Sequence, residues 1–107
     1  MSYKKLVRDN IPDIIKNNGE VPITRILSNE EYKFELEKKL LEECKEVIES
    51  CGEDRIEELA DLLEVVIALG KIESRTLEDI IKVCEIKRQK RGAFDQMIYL
   101  EEVQKKL

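Results

Sequence analysis

Two acid pairs carry the chemistry this sequence offers: Glu43 with Glu46 in KLLEECKEVIES, and Glu58 with Asp61 in EELADLLEVV. Within each pair the acids are three positions apart, and residues so spaced share one face of a helix. At about 100° per residue, Leu36, Leu40, Val47 and Cys51 gather on one side of the first helix. Glu43 falls in the middle of that apolar side, flanked by Glu46 and Lys39. On the second helix Leu59, Leu62, Leu63, Val66 and Leu69 form a wide apolar arc. Glu58 lies inside the arc beside Val65 and Leu69, with Asp61 at its edge and Glu57 and Glu64 on the polar side. A carboxylate aimed at a core costs several kcal/mol unless it is paired or bound to a cation.

If the two helices pack antiparallel, Glu43, Glu46, Glu58 and Asp61 converge. Bare carboxylates sharing a low-dielectric site repel one another strongly. A divalent cation resolves the conflict, and an all-oxygen donor set without His or Cys points to a hard ion, Mg²⁺ or Mn²⁺. The plainer account is that an acid-rich chain yields such spacings by chance. Glu46/Glu49, Asp54/Glu57 and Asp61/Glu64 are further examples, and most charge runs are solvated faces. The inward positions of Glu43 and Glu58 argue against it.

The basic residues have two readings. Lys87, Arg88, Lys90 and Arg91 precede Gly92, where cations complement a helix macrodipole or hold phosphates. Lys4, Lys5 and Arg8 form a smaller cluster. Lys39, one turn before Glu43, is either its ion-pair partner or a phosphate contact.

The elements that must position these residues read as helices. A short helix follows Asp9 or Asn10 as cap, with Pro12 in its first turn and Gly19 as its stop. Residues 21–27, VPITRIL, read as an isolated extended stretch. Ser28 and Glu31 have capping-box spacing and open a long helix to about Cys51, ended by Gly52. A third helix covers roughly residues 53–70, and a fourth runs from the Thr76–Asp79 cap to about Arg91. The tail GAFDQMIYLEEVQKKL is expected to hold a strand-like piece and a frayed last helix. The expected fold is all-α: a bundle of about four helices with antiparallel neighbours, one domain over residues 1–107, completed by oligomerisation.

Composition narrows the function classes. The chain has 107 residues, 42% apolar and 40% charged, with 5% aromatic, the makeup of a helical protein. No apolar run reaches a membrane span, and MSYKKLVRDNIP has no apolar signal region, so a cytoplasmic location is expected. A net charge of -5 opposes a broad nucleic-acid surface. The absence of histidine removes histidine-based triads. Cys44, Cys51 and Cys84 give neither a disulfide framework nor a zinc site, and are expected to be reduced and mostly buried.

KLLEECKEV followed by EELADLLEVV resembles the EExxE…ExxD signature of the all-α nucleoside triphosphate pyrophosphohydrolases, the MazG-like superfamily. That superfamily includes phosphoribosyl-ATP pyrophosphohydrolase and the dimeric dUTPases. KLVRDNIPDII, ITRILSNEEY and KRQKRGAF extend the resemblance, to a small bacterial and archaeal subgroup, over nearly the whole chain. The resemblance implies a helical core binding Mg²⁺ through Glu43, Glu46, Glu58 and Asp61, with Glu42 orienting or deprotonating the attacking water beside Glu43. It implies hydrolysis of the α–β phosphoanhydride of a nucleotide to a monophosphate and pyrophosphate, in a homodimer or homotetramer. Charge and position add Arg8, Lys39, Lys87 and Arg91 as phosphate contacts. Tyr3, Tyr32, Phe34, Phe94 and Tyr99 are the aromatic candidates for a nucleobase. The chain lacks the histidine that dedicated phosphoribosyl-ATP enzymes carry after the ExxD acid, so a histidine-biosynthesis role is not expected. The competing readings are a non-catalytic helical dimerisation module, in which Glu43 and Glu58 pair with Lys or Arg, and a slow nucleotide-binding regulator.

Overall fold

The computed structural model describes residues 4–107; Tyr3 lies outside them. Four helices follow in order: α1 (Ile11–Asn17), α2 (Asn29–Glu49), α3 (Gly52–Ile72) and α4 (Leu77–Arg91). No strand occurs among the described residues, so the architecture is all-α. The chain divides into two compact units, Met1–Arg75 and Thr76–Leu107.

In the first unit, α2 and α3 pack on each other as a hairpin joined by Ser50 and Cys51. The expected capping box opens α2: Ser28 Oγ accepts from Glu31 N, and the Glu31 carboxylate accepts from Ser28 N, both at 3.2 Å. Arg25 adds a fork onto the same carboxylate. Gly52 has a different role from the one expected: α2 ends at Glu49, and Gly52, at φ +60°, opens α3.

The hairpin connection sets the register. Residues equidistant from it lie opposite each other, and side chains repeat on one helix face about every seven residues. Leu36 is fourteen residues before Ser50, and Val65 is fourteen after Cys51. These two are the buried apolar side chains among the described residues. Glu43 and Glu58 stand seven residues from the connection on either side, in the same stripe. Two of the residues expected in the α3 arc turn outward: Leu59 and Leu63 are exposed, while Leu62, Val66 and Leu69 are half-buried around Val65.

In the second unit, α4 starts with a capping box between Thr76 and Asp79 and ends at Gly92 in the left-handed region, φ +80°. Residues 92–107 form neither the strand-like piece nor the last helix expected of them. Phe94, Met97, Ile98, Tyr99, Leu100 and Val103 are all exposed there, and an isolated extended segment has no ladder partner to stabilise it. Residues 21–27 are likewise irregular. The thiols are free as expected but not mostly buried: Cys44 is half-buried, and Cys51 and Cys84 are exposed.

Candidate metal centre

Glu43 sits on α2 where the heptad stripe demands an apolar residue, and it is 8% exposed. Across the hairpin, Glu58 and Asp61 lie one turn apart on α3. One carboxylate oxygen from each of Glu43, Glu58 and Asp61 falls within 4.8 Å of the others. Glu43 Oε2 and Glu58 Oε2 are buried with no hydrogen-bond partner. Buried polar atoms are nearly always satisfied, and an orphaned carboxylate oxygen is costly. Two of them in one interface, with Asp61 beside them, could hold a cation.

The electrostatics agree. Burial pushes the Glu43 carboxyl above its ordinary range, and the neighbouring Glu46 carboxyl adds to this. Lys39, with Nζ 3.9 Å from Glu43 Oε1, opposes the shift. Glu58 is also raised, first by the neighbouring Glu46 carboxyl, then by burial and by the charges of Asp61 and Glu43. Each acid disfavours ionisation of its neighbours.

Of the four expected ligands, Glu43, Glu58 and Asp61 form the tight group. Glu46 stands beside them, exposed, close enough to affect both Glu43 and Glu58. Glu42 points away from the stripe. With Lys5, Leu6, Glu35, Lys38 and Lys39 it lines a depression of about 10 Å³, room for about one water. Lys39 is thus both ion-paired to Glu43 and on the rim of that depression. This 3.9 Å pair is what the interaction-module reading expects of Glu43, but it leaves Oε2 orphaned.

Arg8 reaches the site from the N-terminal segment. Its Nη2 donates to Asp61 Oδ1 at 2.7 Å, and Nη1 lies 3.8 Å from Glu64 Oε1. Sequence spacing gave no sign of this link across 53 positions. Lys87 and Arg91 are exposed in the last turn of α4, within the second unit. Among the aromatic candidates, Tyr32 lines a groove of about 400 Å³ with Asn29, Ala68, Lys71 and Ile72. Phe34, Phe94 and Tyr99 are exposed.

No family model matches the chain, and no solved structure matches it. Over 43 residues it is 46% identical to an uncharacterized protein of Mycolicibacterium smegmatis. The match covers 40% of this chain and 44% of that protein. No helix is long and apolar enough to cross a membrane among the described residues.

Proposed function

We propose that this chain is a Mg²⁺-dependent nucleotide pyrophosphohydrolase, with Mn²⁺ as an alternative ion. It hydrolyses the α–β phosphoanhydride of a nucleoside triphosphate or related nucleotide to a monophosphate and pyrophosphate. A house-cleaning role in the cytoplasm fits such an activity. The supporting observation is the pair of orphaned oxygens, Glu43 Oε2 and Glu58 Oε2, buried in one hairpin interface with Asp61 beside them. It supports a cation site. The nucleotide part rests on the resemblance of KLLEECKEV…EELADLLEVV, LVRDNIP and KRGAF to the MazG-like superfamily.

In this reading Glu43, Glu46, Glu58 and Asp61 hold the ion. When bound, the ion supplies charge neutralisation and a water of lowered pKa. Glu43 would orient the attacking water from within the cluster, with Glu42 one position before it on α2. Lys39 and Arg8, in the same unit as the acids, contact the phosphates, since phosphoryl transfer asks the protein mainly for positioning and charge. A homodimer or homotetramer completes the bundle.

The exposed apolar side chains Leu41, Ile48, Ile56, Leu59 and Leu63 support a second reading, a helical interaction module without catalysis. Pyrophosphate release from a nucleotide panel (dUTP, dCTP, ITP and 8-oxo-dGTP), with and without Mg²⁺, separates the two. Metal-dependent release that vanishes in Glu58→Gln is expected. No release from a folded protein whose melting ignores Mg²⁺ plus nucleotide leaves the module.

A further inference from the structure

We infer that Arg8 is a positioning residue for Asp61, holding its carboxylate in place for the cation; the inference rests on the metal-site reading above. Arg8 approaches Asp61 from the side of Glu64, one turn further along α3, whereas Glu58 lies one turn back. The guanidinium bonds Oδ1, and an oxygen of Asp61 stands within 4.8 Å of oxygens of Glu43 and Glu58. A ligating carboxylate commonly takes such an outer hydrogen bond, which fixes its orientation.

Arg8 is itself anchored. Its carbonyl accepts from Ile11 N at 3.1 Å, which ties it to the first turn of α1. Leu6 and Val7 before it, and Ile11 and Pro12 after it, are half-buried. The side chain thus springs from a held backbone, although the pair it makes is about half exposed. Its planar fork bonds Asp61 while leaning toward Glu64, a geometry that an ammonium point charge does not reproduce.

A plain competitor for Asp61 would act in the opposite direction, because removing a positive charge beside a cation site tightens cation binding. Titration of the full-length chain with Mn²⁺, followed by the loss of the free-ion spin-resonance signal, tells the two apart. Arg8→Ala is expected to weaken Mn²⁺ binding about tenfold or more, with unchanged helicity by circular dichroism. Arg8→Lys is expected to recover only part of the loss. In an Asp61→Asn background, Arg8→Ala is expected to add nothing, a coupling that general destabilisation does not produce. Equal or tighter Mn²⁺ binding by Arg8→Ala, or a full effect persisting without Asp61, overturns the positioning role and leaves the metal site standing. Wild-type binding that Glu58→Gln does not change overturns the metal site, and the role of Arg8 falls with it.

Discussion

Glu43 occupies a core position that a leucine would fill at lower energy. Its carboxyl and that of Glu58 titrate above the ordinary 4.5 in the folded chain. The metal-free fold therefore keeps protons that the unfolded chain has released. The stability these two acids contribute is full below pH 4.5 and is lost as pH rises through their raised values. Glu31 behaves in the opposite way. Arg25, then Ser28, hold its carboxyl at about 2, so its contribution is present above 4.5 and is lost as pH falls toward 2. Melting the metal-free protein between pH 4.5 and 8 is expected to show a decline with rising pH that Glu43→Gln/Glu58→Gln flattens. An identical slope in the variant would show that these acids do not carry the effect. The inward acids were legible in the sequence, because a helical wheel places Glu43 and Glu58 without any tertiary information. Asp61's partner was not, because no periodicity links Arg8 to a residue 53 positions away.

At the scale of elements, the hairpin is the device that aligns the acids. Leu36, at 3% exposure, is the apolar anchor of α2 one heptad from Glu43. Leu36→Ala is expected to destabilise the chain by about 3 kcal/mol in urea unfolding, within the usual range for a buried Leu. Leu41→Ala, on an exposed position, is expected to cost less than about 0.5 kcal/mol in a monomer. Equal effects would contradict the stripe. Ser28→Ala removes one half of a capping box and is expected to cost about 1 kcal/mol by the same measurement, with no change in cation binding. Both capping boxes were legible because Ser28–Glu31 and Thr76–Asp79 act locally. Gly52 misled because glycine commonly closes helices, and here the connection is so short that the same residue begins the next one. The tail misled because Phe94, Ile98 and Leu100 look like strand residues, but strand structure depends on a partner that local sequence does not specify.

At the scale of the whole molecule, two buried apolar side chains among the described residues are a small core for a chain that is 42% apolar. The exposed pair Leu59 and Leu63, one turn apart on α3, supports the proposed homo-oligomer. Sedimentation is expected to give a multiple of 12.5 kDa, reduced in Leu59→Glu/Leu63→Glu. A wild-type protein that sediments as a monomer at micromolar concentration would count against assembly through this face.

On the proposed reading, Glu43 is kept in the interior for a cation and not for the fold. Thermal unfolding at pH 7 of the wild type and Glu43→Gln, each with and without Mg²⁺, tests it most directly. A ligand at about 100 times its dissociation constant adds about 2.7 kcal/mol of stability, which is several degrees for a chain of this size. The wild type is expected to melt higher with Mg²⁺. Glu43→Gln is expected to melt above the metal-free wild type and to ignore the ion. A wild type indifferent to Mg²⁺, or a Glu43→Gln variant that melts lower than the metal-free wild type, would contradict the claim and make Glu43 a structural partner of Lys39.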